Sequence, residues 1–152
     1  MTMPPSPGCR LVAHGTTAYL DTVELRNAVL RRPLGLELTP GEMARETDSL
    51  HLACYVGEQL AGCLVLRPVS ATVVQMRQVA VAPERQRQGI GTALVAFAEA
   101  VAREHGYTEM MLHARASAVP FYLRLGYVER GEPFVEVTIP HREMAKVLAS
   151  AS

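Results

Sequence analysis

The sequence predicts an α/β or α+β domain, a sheet with a strand–helix–strand unit at its centre and helices on its faces. Three observations carry this. Ile90, Leu94, Phe97, Ala98 and Val101 recur at helical spacing within residues 89–105, and Gly106 sits at the expected stop. Extended runs at 72–81 and 109–114 bracket that helix, the first ended by Pro83. Helices, a strand meander and then alternating strands and helices follow one another along the chain, an order that builds such a sheet.

The elements can be taken in order. Residues 1–9, Pro-rich, read as a loose tail. Residues 16–32 read as a helix with Leu20, Val23, Asn27 and Leu30 on one face, ended at Arg31-Arg32-Pro33. Thr39-Pro40-Gly41-Glu42 has capping-box spacing and opens a second, short helix. Residues 51–56 and 59–66 form a hairpin around Gly57-Glu58. After the central unit, Ser117 caps a helix that tolerates Pro120 in its first turn and closes at Gly126. Residues 128–139 read as two strands around Gly131-Glu132-Pro133, and 142–148 as a last helical turn or two. No repeats, linkers or low-complexity tracts interrupt residues 10–148, and a single domain spanning 1–152 is expected.

Bulk composition narrows the function. With 15 basic and 15 acidic residues the formal net charge is zero, so no global field attracts nucleic acid or an anionic membrane. Any anionic ligand needs a local site. Cys9, Cys54 and Cys63 form no CxxC pair and no metal-ligand spacing, which reads as reduced thiols, and no metal is expected. No stretch has signal-peptide pattern or membrane-spanning length, so the reading is a cytoplasmic protein.

One segment carries specific chemistry. Gln86-Arg87-Gln88-Gly89-Ile90-Gly91 joins a strand to the strongest helix. The first turn of a helix has N–H groups without intrahelical acceptors, and the helix dipole adds partial positive charge. A phosphate on that end satisfies both. Glycines permit close approach and positive φ, and Arg85 and Arg87 add charge. The Lys-Ser/Thr ending of a P-loop is absent, as is the third glycine of a dinucleotide fingerprint.

The stretch VAVAPERQRQGIGTALVAFAEAVAREHGY closely resembles the acetyl-CoA-binding motif of the GNAT superfamily of N-acetyltransferases, with Gln86, Gly89 and Gly91 at its fixed positions. Downstream, HARASAVPFYLRLGYVERGEPF resembles the second hallmark of that superfamily, filled by Ala118, Phe121, Tyr122, Leu125, Gly126 and Tyr127. The ending EPFVEVTIPHREMAKVL, and more loosely RNAVLRRPLG, resemble the small ElaA-like branch. The strong resemblance covers residues 74–148. It departs at Arg115, where many relatives carry a cofactor-contacting Asn, so that contact stays open.

The resemblance implies a mixed, mostly antiparallel sheet in which the strand of Val79, Ala80 and Val81 splays from its parallel neighbour. It implies acetyl-CoA as cosubstrate, with the pantetheine arm along Val79–Ala80–Val81 and the pyrophosphate on Gln86, Arg87, Gln88, Gly89, Ile90, Gly91 and Thr92. An N–H near Val79 or Ala80 would face the thioester oxygen. Tyr122 occupies the position that often serves as general acid to the departing thiol, and also touches the cofactor. The transfer is direct attack by a primary amine, on a small molecule or a peptide, in a ternary complex, so Cys54 and Cys63 are not nucleophiles. Relatives are often dimers, which makes a homodimer an option. The general base is open among Glu136, His141, His51, Asp48 and His113, with Glu136 and His141 foremost. Arg77 and Gln78 precede the cofactor strand and are candidates to touch the acceptor. The alternative reading is a non-catalytic acyl-CoA-binding module that retains the pocket.

Overall fold

The computed structural model describes residues 7–148. Seven strands form one sheet in the order β1-β2-β3-β4-β5-β7-β6. They are β1 (Gly8–Val12), β2 (Leu50–Val56), β3 (Gln59–Pro68), β4 (Val73–Val81), β5 (Glu109–Arg115), β6 (Val128–Glu136) and β7 (Ile139–Val147). Only β4 and β5 run parallel; every other neighbouring pair is antiparallel. The helix α3 (Ile90–Glu104) makes the crossover between the parallel pair. The expected mixed, mostly antiparallel sheet with a central βαβ unit is what forms.

The sheet carries helices on both faces. On one face, Ile90, Leu94, Val95, Ala98, Val101 and Ala102 of α3 pack against Leu52, Leu64, Leu66, Val74 and Met76 in the main core. On the other, α1 (Thr17–Arg26) lays Tyr19 and Val23 on Val12 and Ala53. The short α2 (Pro40–Ala44) has both halves of its capping box, Thr39 accepting from Glu42 N–H and Glu42 accepting from Thr39 N–H. The helix α4 (Val119–Arg124) follows β5 through a 3₁₀ turn, Ala116–Ala118, which takes up Ser117; the cap position is Ala118 and no side chain caps the helix, contrary to the expected Ser117 cap.

Several expectations change. Residues 8 and 9 belong not to a tail but to β1, whose five residues are too few to show alternation; residues 1–6 lie outside the described range. The first helix stops being α-helical at Arg26 and continues as a π-helical turn, Asn27–Arg31, then a 3₁₀ turn, Arg32–Leu34. Its buried face is Tyr19, Thr22, Val23, Arg26 and Asn27, whereas Leu20 is 52% exposed. Polar partners cause that rotation: Arg26 meets Glu46, and Asn27 Oδ1 accepts from Leu38 N–H at 2.7 Å.

The chain end also differs. Residues 128–136 are one strand with a register irregularity between Arg130 and Phe134, because the Gly131-Glu132-Pro133 break is absorbed as a bulge. Residues 142–147, expected to be helical, are the interior of β7. The run Arg-Glu-Met-Ala-Lys favours helix locally, but β7 is bonded to β5 on one side and β6 on the other. Two ladders outweigh a preference worth only tenths of a kcal/mol per residue.

Candidate active site

The site begins where two strands part. β4 and β5 are in register from Val73↔Glu109 to Met76↔Leu112, and no pair joins them beyond that point. Each strand stays anchored on its outer side: Arg77 and Ala80 pair with Val65 and Cys63, and His113, Ala114 and Arg115 pair with Glu143, Arg142 and His141. A wedge therefore opens through the sheet. The β5-facing backbone of β4 beyond Met76 has no strand partner, which is what an extended ligand needs to add itself as a strand.

A bulge sharpens the wedge. Cys63 faces Ala80 and Val65 faces Arg77, so Gln78 and Val79 together oppose Leu64. Gln78 sits at φ 53°, a conformation costly for a residue with a side chain. Its amide is held by a buried network that the sequence does not announce. Arg26, wholly buried on α1, donates to Gln78 Oε1 at 3.1 Å and, through both Nη atoms, to the Glu46 carboxylate at 2.7 and 2.9 Å. Tyr19 Oη donates to the same carboxylate at 2.7 Å. Burial alone would push Glu46 up, yet the hydrogen bonds from Arg26 and Tyr19 outweigh it and hold its pKa below the ordinary value.

A cleft of about 420 Å³ fills the wedge. Its walls are Gln75–Val79 of β4, residues 112–115 of β5, Ala118 and Tyr122, Leu30, Arg31, Leu34 and Leu36 from the segment after α1, and Glu136, Val137, Ile139 and His141 around the β6–β7 turn. Val137 and Thr138 turn that hairpin with φ of 49° and 61°.

Tyr122 lies between the core and the cleft, 7% exposed, with its ring edge-on to Phe121 and Tyr127. Burial pushes its phenol up to about 12. The neighbouring Tyr127 spends its hydroxyl on Glu99 at 2.9 Å, whereas among the described residues the Tyr122 hydroxyl has no hydrogen-bond partner. Glu136, which also lines the cleft, stands between two imidazoles. His113 Nδ1 is 3.2 Å from one carboxylate oxygen and His141 Nε2 is 3.6 Å from the other. His141 Nδ1 lies 2.7 Å from the Ile139 carbonyl, which only accepts, so Nδ1 carries the hydrogen. In the neutral ring Nε2 then turns a lone pair toward Glu136, and a cation between the two has acceptors on both sides.

The remaining base candidates are elsewhere. His51 is buried beside His14 and Tyr19, with Nε2 3.0 Å from the Glu46 carbonyl, and burial depresses its pKa. Asp48 is exposed in the turn before β2. Neither lines the cleft.

The strand-to-helix turn adjoins the wedge at the far end of β4. Arg87 and Gly89 adopt φ of 64° and 82°, turning the chain into α3. Ala93 N–H is the first to reach an acceptor in the helix, Gly89 O at 3.0 Å, so the N–H groups of Ile90, Gly91 and Thr92 have none within α3. Gln86 braces the turn by donating to Val81 O at 3.3 Å, and Gln88 by donating to Glu84 O at 3.1 Å. Arg85 is anchored on Gln59 Oε1 at 2.6 Å while Arg87 stays exposed. Ile90 offers only its amide, since its side chain is core. A Cβ on Gly91 would come within 3.3 Å of Phe121 Cζ, so that glycine lets α4, and with it Tyr122, approach the turn. Of the predicted cofactor residues, Val79 and Tyr122 line the cleft, Ala80 is buried and residues 86–89 form the exposed turn.

A sequence profile of the acetyltransferase (GNAT) domain matches residues 35–148. The chain belongs to the GNAT acetyltransferase family. It is accordingly an acyltransferase of the acetyl-CoA-dependent kind. Among relatives, it is 29% identical to the uncharacterized protein YyaT of Bacillus subtilis over 65% of this chain and 66% of that protein, so the match spans about two thirds of YyaT. The fold superposes on a putative N-acetyltransferase from Lactobacillus plantarum with TM-score 0.81, at 24% identity over 93% of this chain and 99% of the other. Escherichia coli ElaA shares the GNAT fold at TM-score 0.74 and 19% identity, over 93% and 99% of the two chains. So does a GNAT family acetyltransferase from Elizabethkingia anophelis with acetyl-CoA bound, at TM-score 0.72 and 17% identity over 93% and 98%. No helix among the described residues is long and apolar enough to cross a membrane, and no group of three His, Cys, Asp or Glu is placed to hold a metal.

Proposed function

We propose that this GNAT domain transfers an acetyl group from acetyl-CoA to a primary amine, on a small molecule or a peptide, by direct attack in a ternary complex. The observation that carries this is the wedge itself, lined by an unengaged phenol and by a carboxylate–imidazole pair. The positive-φ turn and the free amides of α3 suit the pyrophosphate, and the unpaired edge at Val79, Ala80 and Val81 suits the pantetheine arm. A backbone N–H at the bulge, near Val79 or Ala80, faces the thioester oxygen and stabilises the oxyanion.

Two proton movements are needed. An ordinary amine with pKa near 10 is almost wholly protonated at pH 7, so Glu136, paired with His141, takes a proton from the acceptor as it attacks. Tyr122 serves the other side. A phenol at about 12 retains its proton at every physiological pH. Against a thiol near 8.5, complete transfer would be uphill by roughly 5 kcal/mol, so Tyr122 acts chiefly by donating a hydrogen bond to sulfur as charge builds there. The three free thiols, Cys9, Cys54 and Cys63, suit a reducing compartment, and we place the protein in the cytoplasm on that ground.

The test is a thermal shift with acetyl-CoA followed by an amine panel read by release of free thiol. Stabilisation plus thiol release, with intersecting initial-rate lines, supports the proposal. Stabilisation without release from any amine would leave the binding-module reading in its place, and no stabilisation would remove both.

A further inference from the structure

The walls of the cleft carry a charge imbalance that the transfer chemistry does not use. Among the described residues Glu136 is the one carboxylate lining it, against the guanidinium groups of Arg31, Arg77 and Arg115. Arg31 is neutralised by Glu42 at 3.2 Å. Arg77 is half-buried, and among the described residues its guanidinium makes no hydrogen bond and no ion pair, with Glu136 and Glu46 attracting it only from beyond contact distance. Its surroundings make that costly: burial, and then the like charge of Arg67, push its pKa down. A half-buried guanidinium that meets solvent but no protein partner is available to an anion entering the cleft.

Position says which ligand brings the anion. β4 runs from Val73 through Arg77 and the bulge to Val81, and from there into the phosphate turn. A pantetheine arm that enters from the turn meets Val81, Ala80 and Val79 first and ends at the bulge. Arg77 lies beyond that end, paired in register with Val65 and beside the segment after α1. The pyrophosphate has its own site on the exposed turn. Arg77 is therefore left to the acceptor.

Resting on the transferase reading, we propose that the acceptor is an amine that also carries an oxyanion, a carboxylate or phosphate, which Arg77 binds while the ammonium sits between Glu136 and His141. The ammonium first gives one proton to Glu136; the neutral amine nitrogen then bonds to the acetyl carbon, the carbon–sulfur bond breaks, and the second proton lost from nitrogen ends on the sulfur, which leaves as the coenzyme A thiol. The oxyanion remains on Arg77 throughout, so it contributes to binding rather than to the chemical step.

The experiment compares amines that differ only in the oxyanion: common amino acids against their carboxamides, and phosphoethanolamine against ethanolamine, each by thiol release with saturating acetyl-CoA. The expected result is kcat/KM higher for the charged member by about 30-fold or more, in one pair class, which names the oxyanion. Arg77→Gln should raise KM for the charged member by a similar factor, leave kcat within about twofold, and leave the neutral member unchanged; Arg77→Lys should restore part of the loss. Thiol release from amines without discrimination within any pair overturns this inference and leaves the transferase reading standing. So does an Arg77→Gln variant that retains the acetyl-CoA thermal shift but weakens both members equally. If acetyl-CoA binds and no amine releases thiol, the transferase reading itself fails. Should Arg77→Gln not fold, the wild-type pair comparison decides alone.

Discussion

Arg26 on α1 donates to Gln78 in the bulge of β4, 3.1 Å apart across fifty-two positions of sequence. The bulge is thereby tied to the helix on the opposite side of the wedge from Tyr122, through a carboxylate, Glu46, that neither element contains. Removing the cation leaves Glu46 half-buried with its charge opposed only by Tyr19 Oη and the Gln78 amide. Arg26→Met should cost about 3–5 kcal/mol in urea unfolding, and adding Glu46→Gln should recover part of it, because the orphaned charge goes. A loss below about 1 kcal/mol would show that the network does not hold the fold.

Gly62 in β3 faces α3 at the closest approach of helix and sheet. A Cβ there would lie 2.8 Å from Leu94 Cδ1, 2.9 Å from Ile90 Cγ2 and 3.1 Å from the Ala80 carbonyl. Gly62→Ala should destabilise by about 1–3 kcal/mol through overpacking. Gly8→Ala, with nothing within 4 Å, should stay within about 0.5 kcal/mol. Equal effects in thermal melts would contradict the packing argument.

Gly89→Glu places a carboxylate where the pyrophosphate is proposed to sit, on a residue at φ 82°. Acetyl-CoA should then give no thermal shift. Gly131→Glu is the control for backbone strain, since Gly131 has φ 74° and open space but lies in β6. It should lower the melting temperature and keep the shift.

Tyr122→Phe should lower kcat by about 10- to 100-fold with acetyl-CoA affinity unchanged. Because the phenol is pushed up to about 12, the wild-type rate should show no decline from this group between pH 7 and 10. An alkaline limb near pH 9 that disappears in Tyr122→Phe would contradict the burial on which the role rests.

Alkaline stability follows from Cys63. Burial pushes this thiol up from 9.0 to about 12. The folded state therefore holds its proton where the unfolded chain has lost it. The stabilisation is complete below pH 9 and is lost as pH rises from 9 toward 12. Urea midpoints at pH 8 and pH 10 should differ more in wild type than in Cys63→Ala; identical slopes would exclude this thiol as a contributor.

Much of the site was legible because its chemistry is local. Glycine spacing in residues 86–91 and the helical run behind it are sequence-adjacent, and so are Tyr122 and its neighbours Ala118, Phe121, Leu125 and Gly126. The base was not, since His51, Asp48, His113, Glu136 and His141 look alike until the sheet brings three of them to one cleft and leaves two outside it. Arg26 is absent from the helix face that the sequence predicts, Leu20, Val23, Asn27 and Leu30; its meeting with Glu46 and Gln78 buries it.

What the sequence by itself determined is the turn of residues 86–92, the strand–helix–strand unit around it and the family they mark, because helix periodicity, glycine freedom and caps act within a few residues. The tertiary structure alone decided that residues 142–147 are a strand, that β4 bulges at Gln78 and parts from β5, and that Arg77 lines the cleft without an ion pair of its own. Those outcomes depend on ladders and charges from segments tens of residues apart, and no local propensity encodes which partner will arrive.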